Sequence, residues 1–296
     1  MSDYKGDRKG GRKRNFGNHP KSTSKERYAS PKQKFSPQNK RKGKFVKKET
    51  SNDGSIRLNK YIANAGICSR READDLIIAG AIKINDKVVT ELGTKVQPND
   101  IVHYGGELIS KEKKQYFLLN KPKGYITTMD DPFKRKTVME LIGKACKERI
   151  YPVGRLDRAT SGLLLFTNDG HLTKRLTHPS SNVRKVYQVK LDQNVTQNHL
   201  LELVEGIELE DGRSHADKAY YNLSSNDKSE IVLELHSGKN RIIRRMMESL
   251  GYKVVKLDRI QFAGLTKKNL IRGRYRQLSD KEVGLLHRVA GLSSRQ

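Results

Sequence analysis

The chain has 296 residues, 34% of them hydrophobic, which leaves room for two or more packed domains, and its formal net charge of +27 selects a polyanionic partner, most simply a nucleic acid. The two cysteines, Cys68 and Cys146, are far apart and belong to no CxxC pair, which excludes a disulfide framework and a cysteine-based zinc cluster and suits a reducing cytoplasm. No signal-like segment or long apolar run occurs, so neither secretion nor membrane spanning is expected.

Residues 1–54 hold 17 Lys or Arg against 5 Asp or Glu, with almost no apolar periodicity. Such a segment buries too little surface to offset its ordering entropy, so a disordered basic tail that neutralises phosphates is expected. Order is expected to begin near Ile56. Leu58, Ile62 and Ala65 have helical spacing, closed by Gly66. Ser69 and Glu72 form a capping box for a second helix ending at Gly80, with Ala73, Leu76 and Ile77 on one face and Arg70 and Arg71 on the other. Ala81 to Ile84, an Asn85-Asp86 turn and Val88-Val89 read as a hairpin, followed by a strand over Ile101 to Tyr104.

The segment RLNKYIANAGICSRREADDLIIAGAIKIND, Arg57 to Asp86, resembles an S4 RNA-binding domain, expected over residues 55–108. The resemblance implies that the basic side of the second helix and the hairpin lie against RNA. It nominates Arg57, Lys60, Ser69, Arg70, Arg71, Lys83 and Asn85, with Ser69 also acting as the cap. A charged linker is expected over residues 109–114.

Tyr116 to Asn120 reads as a strand stopped by Lys121-Pro122-Lys123-Gly124, with a possible second strand from Ile126. Thr137 to Ile142 reads as a short helix. Gly154 to Gly170, GRLDRATSGLLLFTNDG, sets Asp157 between Arg155 and Arg158 on a loop feeding a buried strand, Leu163 to Phe166. Such a placement holds a charged group rigid; an ordinary ion pair with the flanking arginines would also account for the pattern. Leu172 and Leu176 lie one helical turn apart. Strands are expected over Arg184 to Leu191, Ile231 to Leu235 and Val254 to Leu257. Helices are expected over Ile242 to Leu250 and, from the Ser279/Glu282 capping box, to Leu286. This irregular order argues for an α+β fold.

LNKPKGYITT at 119–128, GRLDRATSGLLLFTNDG at 154–170, RKVYQV at 184–189 and GKNRIIRRM at 238–246, occurring in that order, resemble the ribosomal small-subunit type of pseudouridine synthases. The ATSGLLLFT form and the later His178-Pro179-Ser180 are most similar to the branch that modifies large-subunit, 23S ribosomal RNA. The resemblance implies a mixed, mainly antiparallel-sheet catalytic domain, expected over 115–288, that isomerises uridine to pseudouridine. It also implies a monomer, with Asp157 as the essential carboxylate, Tyr187 against the target base and Arg244 beside the carboxylate. Arg155, Arg241 and Arg245, from the same motifs, are expected to contact RNA. No metal-ligand spacing or Gly-rich nucleotide loop occurs, so no cofactor is expected. A non-catalytic S4-type assembly factor, or the same chemistry on 16S rRNA, would share much of this pattern.

Overall fold

A computed structural model describes residues 54–110 and 112–292. The expected basic tail lies outside the described residues. The chain first forms β1 (Ile56–Arg57), α1 (Leu58–Asn64), α2 (Arg70–Ile78), β2 (Ile82–Ile84), β3 (Lys87–Val88), β4 (Lys95–Val96), β5 (Val102–Tyr104) and β6 (Glu107–Leu108). Sheet order is β3-β2-β5-β6, with β1 paired to β4 apart from it. The cap of α2 is reciprocal: the Ser69 hydroxyl accepts from the Glu72 amide, and the Glu72 carboxylate accepts from the Ser69 amide. Asn85 and Asp86 both have positive φ, 48° and 66°, the backbone of a two-residue hairpin turn whose twist suits the flanking strands. Leu58, Ile62, Ala73, Ile77, Ile82, Val96, Val102 and Ile109 close over one small core.

A larger α+β assembly follows: β7 (Tyr116–Lys121), α3 (Met139–Ile142), β8 (Tyr151–Pro152), β9 (Ser161–Thr167), α4 (Gly170–Thr177), β10 (Lys185–Leu191), α5 (Gln197–Glu205), β11 (Lys218–Tyr221), β12 (Glu230–Leu235), α6 (Ile242–Ser249), β13 (Val254–Phe262), β14 (Leu265–Thr266), β15 (Tyr275–Gln277) and α7 (Asp280–Val289). The main sheet runs β11-β12-β10-β13-β9-β7-β15, with β14 beside β13 and β8 beside β9. Every pairing within it is antiparallel except β9 with β13.

The seven-residue run of β9 is buried from end to end. Leu163 and Leu165 join the core under α4 and α7, while Leu164 and Phe166 join the opposite core with α3. A strand covered on both faces needs apolar residues at consecutive positions, which explains the unbroken LLLF. The other half of the sheet packs α5 and α6 through Leu200, Leu203, Ile243, Met246 and Met247.

Several expectations shift. Ile126 makes one isolated bridge to Thr137 instead of starting a strand, and the strand expected to stop at Leu257 continues to Phe262. The charged segment before β7 is tied down by Asn168. Its side chain accepts from the Gln115 amide and donates to the Lys113 carbonyl and the Glu112 carboxylate.

Candidate active site

The loop Arg155 to Thr160 reaches β9 at the middle of the sheet, where β9 meets β13. Only Asp258↔Ser161 and Arg259↔Gly162 pair across this parallel seam. Gly162 has φ of +115°, and a Cβ there would lie 2.3 Å from the Arg259 carbonyl oxygen, so no other residue fits. On the far side of β13, the register to β10 slips between Val186 and Tyr187, so that Tyr187 faces Arg259. A slip of this kind twists the strands and re-aims a side chain.

Above the seam lies a cavity of about 560 Å³, large enough for a nucleoside. Asp157, Arg155 and Thr160 from the loop, Lys185 and Tyr187 from β10, His236 after β12, Arg241 and Ile242 at the start of α6, and Arg259 from β13 all line it. Arg241 is left-handed, with φ of 46°, and no side chain caps the helix it begins. The uncapped N-terminus therefore turns its amides, together with the Arg241 charge, toward this region.

Asp157 is half-buried, and its flanking arginines are exposed. Arg158 donates to the Gly124 carbonyl at 3.4 Å, and no ion pair joins either arginine to Asp157 among the described residues. The loop is held from beneath by Lys121, a fully buried cation. Its Nζ donates to the carbonyls of Pro122 at 3.1 Å, Asp157 at 3.1 Å and Thr160 at 2.7 Å. Burial pushes the Lys121 ammonium down to about 8; the charge of Asp157 acts against this and that of Arg259 adds to it.

Two further cations face the same space. Lys185, which donates to the His236 carbonyl at 2.6 Å, is also pushed down to about 8 by burial and by Arg259. Arg259 is 3% exposed; its Nε donates to the Leu163 carbonyl at 2.8 Å and its guanidinium lies 4.7 Å from the Phe262 ring centroid.

Of the three nominated catalytic residues, Asp157 and Tyr187 line the cavity. Arg244 stands behind it, donating to the Val254 carbonyl at 3.2 Å. Burial and Arg241 lower its pKa while the field of Asp157 raises it, so the guanidinium and the carboxylate are electrostatically coupled. Arg245 points elsewhere, into a bidentate pair with Asp211 at 2.8 and 3.1 Å.

In the N-terminal module Arg57, Arg70, Arg71, Lys83 and Asn85 are exposed. The Asn85 amide is engaged internally, donating to Asp100 and accepting from the Ile101 amide, while Arg70 donates to Asn59. Lys60 lines a separate cleft of about 220 Å³ with Lys114 and His171. Sequence reasoning did not single out Lys121, Lys185 or Arg259 as site residues. The first two stand inside motifs it did quote, as the Lys of LNKPKG and of RKVYQV; Arg259 carried no comparable signal.

Residues 115–249 match the RNA pseudouridylate synthase family and residues 56–102 match the S4 domain. A relative from Bacillus subtilis (strain 168), named ribosomal large subunit pseudouridine synthase B, is 43% identical over 79% of this chain and 96% of its own length. The chain belongs to the RNA pseudouridylate synthase family. This synthase is also 38% identical, over 80% of its length and 96% of the relative's, to an uncharacterized RNA pseudouridine synthase of Aquifex aeolicus (strain VF5). A crystal structure of a pseudouridylate synthase matches it with a TM-score of 0.56 at 30% identity, covering 78% of this chain and 99% of the other. No helix among the described residues of the synthase is long and apolar enough to cross a membrane.

Proposed function

We propose that the synthase isomerises a uridine of ribosomal RNA, specifically of 23S rRNA, in the cytoplasm, with Asp157 as the reacting carboxylate. The observation that carries this reading is the placement of Asp157. It stands in a nucleoside-sized cavity opposite Tyr187, on a loop whose carbonyls are clamped by a buried ammonium. The choice of the large subunit, and with it of 23S rRNA, is supported by the Bacillus subtilis relative, whose name refers to the ribosomal large subunit.

Isomerisation breaks the N1–C1′ bond, turns the uracil within the site and joins C5 to C1′; N1 gains a proton and C5 loses one, with no net redox change. The Asp157 carboxylate serves either as the nucleophile at C1′, later displaced by C5, or as the base that removes the C2′ proton to give a glycal. Both routes need the ionised form, and the charge of Asp157 in turn acts on the Arg244 guanidinium behind the cavity. Tyr187 lies against the base, where its hydroxyl can assist proton transfer. Lys185 and Arg259 place positive charge where electron density gathers on the departing uracil.

The target nucleotide must leave its stack to reach this cavity, at a cost of roughly a few kcal/mol that is smallest in loops. Exposed Arg57, Arg70, Arg71 and Lys83 on the N-terminal module, with Arg155 and Arg241 at the cavity, offset that cost through phosphate contacts. We take residues 55–108 as the RNA-binding domain, 109–114 as the connection and 115–288 as the catalytic domain of a monomer.

The test is pseudouridine mapping of total RNA from cells lacking the protein, complemented with wild type or Asp157→Asn. Loss of one 23S pseudouridine, restored by wild type alone, is expected. A change confined to 16S or transfer RNA would overturn the target; restoration by Asp157→Asn would overturn the role of the carboxylate.

A further inference from the structure

The described part of the chain brings two histidines and a carboxylate together beside the catalytic cavity, a convergence their sequence positions do not announce. Ligand atoms of His215, Asp217 and His236 all lie within 4.8 Å of one another. The geometry points to a binding site for a divalent transition metal ion of the zinc class, held by these three side chains at the cavity rim.

The backbone that presents them is fixed from several directions. Ser214 and Ile207 exchange amide bonds, the Ala216 amide donates to Leu203, and the Asp217 amide donates to Glu234. Ala216 is fully buried between the two polar residues, which locks the segment against the core. Lys218 pairs with Glu234 and the Asp217 amide bonds the same residue's carbonyl, so the segment ahead of β11 is held against the end of β12, which His236 directly follows. The His236 carbonyl is held in turn by Lys185. The ligand positions are thus set by the sheet, with only side-chain torsions left to adjust.

The chemistry of the donor set selects the ion. Two imidazoles and one carboxylate are a familiar set for zinc and its neighbours, which bind nitrogen and oxygen at about 2.0–2.2 Å. A tetrahedral ion would even out the donor spacings, closing the widest and opening the His236–Asp217 pair, a movement within reach of small side-chain rotations. His236 Nδ1 now lies 2.6 Å from Asp217 Oδ1, so metal binding replaces or shares that contact. The His236 and Asp217 side chains keep 34% and 31% exposure, enough for an ion to enter.

Lys185 and Lys239 lie close by, and their charges disfavour any cation held by electrostatics alone. Hard ions such as Mg²⁺, which need several oxygen ligands, are therefore rejected, whereas an ion bonding strongly to imidazole is retained. Three protein ligands leave a coordination position for water or a phosphate oxygen. Since His236 also lines the cavity, a bound ion would sit where an RNA backbone approaches the site.

The experiment uses the full chain, stripped with chelator. Zn²⁺ binding is measured by calorimetry and Co²⁺ binding by its visible d–d absorption, for wild type, His215→Ala and the near-isosteric Asp217→Asn. Circular dichroism of the metal-free proteins verifies folding. The tail histidine, His19, is common to all three proteins and cancels in the comparison. One more Zn²⁺ site in wild type than in His215→Ala is expected. Its affinity should be weakened at least about tenfold in Asp217→Asn and left unchanged by excess Mg²⁺. Equal stoichiometry and affinity in all three proteins, or a Co²⁺ spectrum unaltered by the substitutions, would overturn the assignment.

Discussion

Replacing Lys121 by Met retains the buried stem and removes the ammonium, which makes the stability of the site measurable as a function of pH. The ammonium is protonated in both folded and unfolded chains below pH 8. Keeping it charged inside the protein costs the difference between its ordinary 10.5 and its buried value of about 8, or about 3 kcal/mol. Against this relief, the variant leaves the Pro122 and Thr160 carbonyls without their donor, at about 1–3 kcal/mol each. The Asp157 carbonyl still accepts from the Thr160 amide at 3.0 Å. At pH 7 the net change therefore lies between about 1 kcal/mol of stabilisation and about 3 kcal/mol of destabilisation.

Between pH 8 and 10.5 the unfolded wild type binds a proton that the native protein has released, so wild-type stability rises with pH. Lys121→Met has no such contribution, and the stability gap widens by as much as about 3 kcal/mol across this window. Urea denaturation of both proteins at pH 7, 8.5 and 10, followed by circular dichroism, measures the gap. The shift of Lys185 is present in both proteins and cancels. A gap that stays flat or narrows with rising pH would refute the buried-ammonium account.

Three further outcomes follow from the same geometry. Gly162→Ala forces a methyl group into the Arg259 backbone at a φ that side chains avoid; a loss of at least about 3 kcal/mol is expected, seen as a fall in Tm of roughly 6–12 °C in thermal melts. Ser69→Ala removes a cap hydrogen bond worth about 1 kcal/mol; RNA affinity in filter binding should weaken while kcat at saturating RNA holds, because α2 lies outside the cavity. Asp157→Asn should bind RNA as wild type does in the same filter assay while forming no pseudouridine, which separates loss of chemistry from loss of recognition.

The elements most legible in the sequence were those whose signals are local. The Ser69/Glu72 and Ser279/Glu282 boxes both form as the spacing implies, because a cap needs only four consecutive residues. The LLLF run announced a buried strand for the same reason. The Gln197–Glu205 helix and the two-residue strands Ile56–Arg57 and Lys95–Val96 were missed, since the helix is short with a mixed composition and strands that short carry no periodicity. Asp157 and Tyr187, which line the cavity, both stand inside motifs visible in the sequence. The cations around them were not: Lys and Arg default to solvent in any reading of sequence, and only long-range packing buries Lys121 and Arg259. The clustering of His215, Asp217 and His236 depends in the same way on strand register.

The seam between β9 and β13 also orders events in time. The Arg259 side chain reaches the Leu163 carbonyl across 96 residues of sequence. A chain made from its N-terminus therefore exposes the S4-like module and Asp157 well before the strand that walls in the cavity exists. Because long-range pairings form only after their loop-closure cost is met, the synthase gains the means to hold RNA early and the enclosed pocket last. A nascent or truncated product ending before β13 would therefore have binding surfaces without a finished catalytic chamber.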